Sequence, residues 1–240
     1  IQMSLDNGAN DFVAKPFEAE ELLARVRNLT RLKASVKQAR ETEISFLRSQ
    51  INPHFLYNAL NAIASLCAIN PARAEELTLQ LSLYLRGSFD FKQLDALTTL
   101  ERELELVQAY VSIEKARFGN RLHVVYDIDA DLQLSIPPLV LQPIVENAIK
   151  HGLMTKLEGG TVRIAVKAHP GNVVQFTISD DGCGISEQKL NEIRQADGNN
   201  KGVGLKNIGQ RLKLIYGIHL HIDSKEGSGT QVTFAIPAMP

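Results

Sequence analysis

Cysteine is scarce: Cys67 and Cys183 are the two in 240 residues. So few, so far apart, make neither a disulfide framework nor a zinc-ligand spacing, and they fit buried, unreactive thiols in a reducing compartment. Excess charge is lacking as well, since 26 Lys and Arg stand against 27 Asp and Glu, a net charge of -1. That balance argues against a broad electrostatic grip on nucleic acid or anionic lipid. No apolar run approaches the ~20 residues that cross a bilayer. No secretory signal opens the chain. Membrane contact is therefore expected only through segments outside this sequence, and the chain is expected to be cytoplasmic. Internal repeats, low-complexity tracts and the Gly-x-x-x-x-Gly-Lys-Ser/Thr phosphate loop are missing too. What is present is ordinary: 44% apolar and 22% charged residues, at a length that allows one large domain or two smaller ones.

The chain reads in three parts: residues 1–33, 34–90 and 91–240. In the first, Asp11-Phe12-Val13-Ala14-Lys15-Pro16-Phe17 predicts a short buried strand ending in a turn. An acidic-start helix follows, with Glu18, Glu20 and Glu21 at its positive end and Leu22, Leu23, Val26 and Leu29 at helical spacing. From about Leu29 to Leu66 a coiled-coil-like seam runs through Leu32, Val36, Ile44, Leu47 and Ile51, kinked at Pro53. A second helix, from about Ala72 to Gly87, carries Leu77, Leu81 and Leu85 on one face. Two such hairpins would make a four-helix bundle in a dimer. The third part predicts a helix capped by Thr98 and Glu101, a strand over Leu122–Ile128 and an amphipathic helix over Pro137–His151. Two hairpins then turn at Pro170-Gly171 and at Glu226-Gly227-Ser228-Gly229.

Four stretches of the third part could carry chemistry. Within Glu146-Asn147-Ala148-Ile149-Lys150-His151-Gly152, the Asn147 oxygen could complete a Mg²⁺ shell shared with phosphate. Lys150 or His151 could meet phosphate charge. Asp180-Asp181-Gly182-Cys183-Gly184-Ile185 follows a strand. Its glycines permit close approach of a flat heterocycle, and Asp180 could accept from an exocyclic amine. Gly202-Val203-Gly204-Leu205-Lys206-Asn207 opens a helix, whose N-terminal amides suit phosphate. Gly227-Ser228-Gly229-Thr230 enters a strand. Each alone reads as a polar helix face, a turn or a hinge.

Their order and spacing resemble the Asn box, the two glycine boxes and the terminal Gly-Thr of the GHKL ATPase superfamily. That resemblance implies ATP as the bound nucleotide and Mg²⁺ held by Asn147. It gives Asp180 the adenine amine, and makes Gly182, Gly184, Gly202, Gly204 and Leu205 the pocket and lid. Thr230 supports Asp180, Glu146 takes a position often given a base-like role, and Ser186–Lys201 matches the mobile lid. Arg211 either supports the phosphates or packs its helix.

Upstream, Asn52-Pro53-His54-Phe55-Leu56-Tyr57-Asn58 closely resembles the phosphoacceptor helix of autolysin-sensor-type histidine kinases. Tyr110, Glu114, Arg117 and Phe118 fit the Tyr-x-x-x-Glu-x-x-Arg-Phe run of the same family. The implied fold is α+β: a dimeric helical-hairpin phosphoacceptor domain followed by a GHKL-type α/β sandwich that binds ATP. The implied activity is autophosphorylation of His54 and onward transfer to an Asp of a response-regulator receiver domain, in cis or separate. Most histidine kinases place a carboxylate after the histidine, whereas Phe55 stands here. Asn52, Asn58 or a residue of the nucleotide domain are then the candidates to orient the ring. Asn58, on the same helical face as His54, is also the candidate for a phosphatase step. Finally, Gly8–Phe17 resembles the last strand of a receiver domain, with Lys15 as its phosphoryl-contacting lysine and Phe12 as its switch aromatic. With the phosphorylatable Asp absent, it is expected to be the tail of a receiver in a hybrid kinase. The competing readings are a GHKL ATPase that drives a conformational clamp and a non-catalytic dimeric module.

Overall fold

The structure is a computed structural model and describes residues 19–20, 23, 25–31, 33, 53–89, 97–195 and 203–238. It divides into two compact units, Ile1–Asn52 and Pro53–Pro240. In the first unit the described residues between 19 and 33 are helical, as the acidic start and apolar spacing predict. The expected strand over 11–17 and the seam over 34–52 lie outside the described residues.

The second unit begins with a helical hairpin. Helix α1 (Pro53–Ile69) buries Phe55 and Ala59. Helix α2 (Pro71–Phe89) buries Ala74, Leu77, Leu81 and Tyr84, spaced three and four apart as one helix face requires. Asn70 joins them by accepting the Arg73 N–H on its side-chain oxygen at 3.1 Å, while Pro71 occupies the first helical position.

Helix α3 (Leu100–Phe118) packs against both α1 and α2 on one side, and against the next helix and the sheet on the other. Its wide buried arc, Leu100, Glu103, Leu104, Leu106, Val107, Tyr110, Val111, Ile113 and Glu114, follows from that sandwiching. The cap lies one residue beyond the expected Thr98. Thr98–Thr99 form a short strand, β1, and it is Thr99 Oγ1 that accepts the Arg102 N–H at 3.2 Å. Glu101, expected to close the capping box, instead accepts from Gln133 Nε2 at 3.1 Å.

Five strands complete the unit: β2 (Leu122–Asp129), β4 (Gly160–His169), β5 (Val173–Asp180), β6 (His221–Lys225) and β7 (Gly229–Pro237). A two-residue β3 (Ser135–Ile136) pairs with β1. The sheet order is β2-β4-β5-β7-β6, with β2 parallel to β4 and the other pairs antiparallel. Alternation sets the buried face: Val162, Ile164 and Val166 of β4, Val174, Phe176 and Ile178 of β5, Val232, Phe234 and Ile236 of β7. Phe176 and Phe234 are register partners whose rings stack at 4.7 Å. Helix α4 (Leu141–Asn147) forms the parallel crossover between β2 and β4, and α6 (Val203–Tyr216) adds Ile208 and Leu212 to the core. The result is the expected α+β architecture, a helical hairpin followed by a two-layer α/β domain.

Helix α4 starts four residues later than the Pro137 expected from the sequence. Leu139 adopts φ +57°, a left-handed conformation that breaks any helix there. The turn is held from outside: the Glu103 carboxylate accepts the N–H groups of Leu139 (2.5 Å), Val140 (3.0 Å) and Leu141 (3.1 Å). Among the described residues, no helix is long and apolar enough to cross a membrane.

Candidate active site

Helix α4 carries the first group of candidates. Leu141, Ile144 and Val145 anchor it in the core, with Ala148, Ile149 and Leu153 continuing the buried face. After Asn147 the helix widens into a π-helical segment, Ala148–Leu153, with Met154 N donating to Ile149 O at 3.0 Å. Such π segments often sit at functional sites, because the extra residue per turn re-aims neighbouring side chains. Asn147 is half-buried at this junction, while Lys150 and His151 are exposed. Partial burial, with the charges of Lys150 and then Lys189, pushes His151 below the usual imidazole range. Lys189 belongs to α5 (Glu187–Gln195), in the stretch read as a lid.

The strand-end loop locks onto this π turn. Cys183 N donates to Gly152 O at 3.0 Å, and the Cys183 thiol donates to His151 O at 3.1 Å. A Cβ on Gly182 would overlap the Gly152 backbone, so the close approach requires glycine. Gly184 has φ +66° and faces the Lys225 carbonyl, so a side chain there is excluded twice. Asp180 ends β5 with its Oδ1 accepting the Gly182 N–H at 2.9 Å. Burial raises its carboxyl above the usual range, against the N–H groups of Gly182 and Thr230, which favour the charged form.

Thr230 lies opposite Asp180 in the β5–β7 register. Its hydroxyl is 2.9 Å from Ser224 Oγ, which donates to Gly229 O at 2.9 Å. With that proton spent on Gly229, the Thr230 hydroxyl is the donor in the pair. Ser224 also accepts the Ile185 N–H at 2.8 Å, so it ties the glycine-rich loop to the hairpin. Gly202 lies outside the described residues, while Gly204 and a half-buried Leu205 are in the first turn of α6. Arg211 donates from Nη1 to Pro138 O at 2.7 Å, linking α6 to the turn before α4.

The π turn and the strand-end loop meet here, with Gly152 lying against the Asp180 carboxylate and Gly182 against the Gly152 backbone. Among the described residues no group of three His, Cys, Asp or Glu could hold a metal. A lone Asn donor fits Mg²⁺, which keeps most of its shell for water and substrate phosphate.

His54 stands apart on α1, exposed, with Asn58 Nδ2 3.1 Å from its Nδ1 and 3.5 Å from its Nε2. Glu146 is turned away from Asn147 toward α2: its Oε1 accepts from Tyr84 Oη at 3.0 Å and from Gln142 Nε2 at 2.8 Å. Burial raises its carboxyl, opposed by Gln142, Tyr84 and Lys150. Tyr84 in turn is pushed well above the ordinary phenol value, by burial and then by Glu146. The Tyr84 ring lies 4.8 Å from Phe55 and 5.9 Å from Tyr110. Glu114 and Arg117 follow Tyr110 on α3, 3.7 Å apart. Sequence reasoning passed over Tyr84, Glu103, Gln142 and Ser224. The available signal was Glu103, an acid inside the apolar stripe Leu100, Leu104 and Val107.

Two family models match the chain: the histidine kinase model over residues 42–122, and the histidine kinase-, DNA gyrase B- and HSP90-like ATPase model over residues 137–240. Among curated relatives, the putative uncharacterized protein YwpD of Bacillus subtilis is 43% identical, over 95% of this chain and 82% of its own. The sensor histidine kinase YpdA of Escherichia coli is 39% identical over 90% of this chain and 38% of its own. The sensor protein LytS of Bacillus anthracis is 41% identical over 84% of this chain and 35% of its own. Apart from YwpD, then, the chain spans little more than a third of these relatives. The α/β unit is a GHKL-type ATP-binding domain. The chain belongs to the sensor histidine kinase family, the protein-histidine kinases of two-component signalling, and resembles its autolysin-sensor type.

Proposed function

We propose that this chain transfers the γ-phosphoryl group of ATP to His54 and passes it on to an Asp of a receiver domain, in cis or on a separate regulator. The observation that carries this reading is the exposed His54 ring in the first turn of α1, engaged by Asn58 on its own helical face. In the reaction an unprotonated ring nitrogen forms a bond to γ-phosphorus, and the bond from γ-phosphorus to the β-bridging oxygen breaks as ADP leaves. Asn147 would hold a Mg²⁺ ion, which supplies charge neutralisation at the phosphates. Asp180 would read the adenine amine, with Gly182 and Gly184 allowing the base to approach. Lys150 and His151 lie on the same turn as Asn147, where they would meet phosphate charge. Gly202, Gly204 and Leu205 would form part of the pocket and lid.

Asn58 would fix the tautomer of His54, and in the reverse sense would orient water for dephosphorylating the partner. The chain would act as a homodimer through its hairpin. Tyr57, Leu60, Ala64 and Cys67 form an exposed stripe at heptad-like spacing along α1, the pattern of a helix awaiting a second copy. The test is labelling by γ-labelled ATP and Mg²⁺ in the intact chain, in His54→Gln and in Asn147→Ala. Acid-labile, alkali-stable label lost in both variants is the expected result. Label that survives His54→Gln would place the acceptor elsewhere, and ATP turnover without label would favour a clamp-type ATPase.

A further inference from the structure

The apolar rows that cross the sheet end in a polar one. Ile178, Val232 and Ile222 are register partners on β5, β7 and β6, and all three are buried. Two residues further along, on the same face by strand alternation, the row is Asp180, Thr230 and Ser224. Each of these three is half-buried. Asp180 is the residue proposed to read the base, so the polar row is the part of the sheet that the base would meet.

Within the row, every hydrogen-bonding capacity of Ser224 Oγ is used. A hydroxyl offers one proton and two lone pairs. The proton goes to Gly229 O at 2.9 Å, because a carbonyl can only accept. One lone pair takes the Ile185 N–H at 2.8 Å. The other faces Thr230 Oγ1 at 2.9 Å, so the Thr230 proton is committed to Ser224. Thr230 then has no proton for any further group, and its oxygen meets a ligand as an acceptor. The Asp180 carboxylate, which takes the Gly182 N–H at 2.9 Å, is an acceptor as well.

We infer that Ser224 is a specificity-determining positioning residue. By fixing the direction of the Thr230 hydroxyl, it makes Asp180 and Thr230 an acceptor-only pair that admits a 6-aminopurine and rejects a 6-oxopurine. The inference rests on the ATP-binding reading above and deepens it. An exocyclic amine brings protons to such a pair, whereas a 6-oxo group sets lone pairs against lone pairs and leaves polar groups unpaired. A threonine free to turn its hydroxyl could accept from the amine or donate to the oxo group, and would discriminate less. Ser224 acts at one remove, since its own three bonds all go to protein groups.

The experiment titrates the chain, in the presence of Mg²⁺, with ADP and with inosine diphosphate, which carries an oxo group in place of the 6-amino group. The readout is the ratio of the two affinities, measured by calorimetry. The parent chain should favour ADP, and Ser224→Ala should lower that preference at least about fivefold, the scale of one hydrogen bond. Ser224→Thr keeps a hydroxyl and should restore the preference; a ratio as low as that of Ser224→Ala would overturn the inference. Equal weakening of both nucleotides in Ser224→Ala, with the ratio unchanged, would make Ser224 a structural tie for the loop and also overturn it. So would a parent chain that binds the two nucleotides equally. Thr230→Val leaves the Ser224 bonds to Gly229 and Ile185 in place, and it serves if Ser224→Ala does not fold. Its preference for ADP should fall as well, and an unchanged preference there sinks the inference. If the parent chain binds neither nucleotide, it is the ATP-binding reading that fails, a result distinct from the others.

Discussion

Asn58 Nδ2 lies 3.1 Å from Nδ1 of His54, one helical turn away on the same face of α1. An amide can present either its nitrogen or its oxygen to the ring, and the choice sets the tautomer. With the nitrogen end donating, Nδ1 is unprotonated and Nε2 carries the proton. With the oxygen end accepting, Nδ1 carries it and Nε2 is free to attack phosphorus.

Substitutions at Asn58 separate the two. Asn58→Asp offers only acceptors, so it favours Nδ1–H and an attacking Nε2, and labelling of His54 should persist. Asn58→Ala leaves the ring unoriented and should slow labelling by about 10- to 100-fold, the scale of a lost positioning contact, with ATP affinity unchanged. Initial-rate labelling beside nucleotide titration measures both. Equal rates in the two variants would remove Asn58 from the transfer step.

Glu103 is 0% exposed, and its carboxylate takes three consecutive backbone N–H groups from the turn before α4. Burial nonetheless raises its carboxyl, because the three donors and the Arg211 charge offset desolvation only in part. Glu103→Ala leaves those donors unpaired around the left-handed Leu139 and should cost on the order of 3–5 kcal/mol. A melting temperature lower by about 10 °C is the expected scale for a unit of this size. ATP binding should weaken in parallel, since α4 carries Asn147. A variant with unchanged melting would show that the turn holds without its anion.

Leu60 is 49% exposed on α1, within the stripe that also includes Tyr57, Ala64 and Cys67. A charge placed there should not disturb the chain's own core, which takes Phe55 and Ala59 from the other face of α1. Leu60→Glu should therefore yield a folded monomer where the parent chain is a dimer, as read by light scattering after size exclusion. A dimer that persists would place the interface on another face.

The strand periodicities, both sheet hairpins and the helical hairpin were legible because each rests on local pattern. The proposed nucleotide-site residues Asn147, Asp180, Gly182 and Gly184 were read as a set by resemblance, and at two of them the structure gives a physical reason for glycine: the Gly152 backbone lies against Gly182 and the Lys225 carbonyl against Gly184. The start of α4 was not legible, because Leu139 takes a conformation that local sequence disfavours and a distant carboxylate sustains. The direction of Glu146 was equally hidden. Helical spacing places it beside Asn147, but only tertiary packing brings Tyr84, 62 residues earlier, to its oxygen.

Glu114 provides the pH test. Its side chain is 6% exposed, and burial raises its carboxyl to about 7, with the Glu146 charge adding to the rise and the Arg117 guanidinium opposing it. The folded chain therefore holds a proton that the unfolded chain has lost between about pH 4.5 and 7. Stability from this group is complete below that window, falls as pH rises through it, and is gone above pH 7. The loss is on the order of 2–3 kcal/mol, with Glu146 and Glu103, also raised, acting in the same direction. Glu114→Gln is neutral throughout and keeps the side-chain shape. Its melting temperature should match the parent chain near pH 5 and exceed it by roughly 5 °C at pH 8. Thermal melts of both proteins at pH 5, 6, 7 and 8 decide the matter. Parallel curves would mean that Glu114 stays ionised in the fold, and its ion pair with the partly exposed Arg117 would then be the better account of its charge.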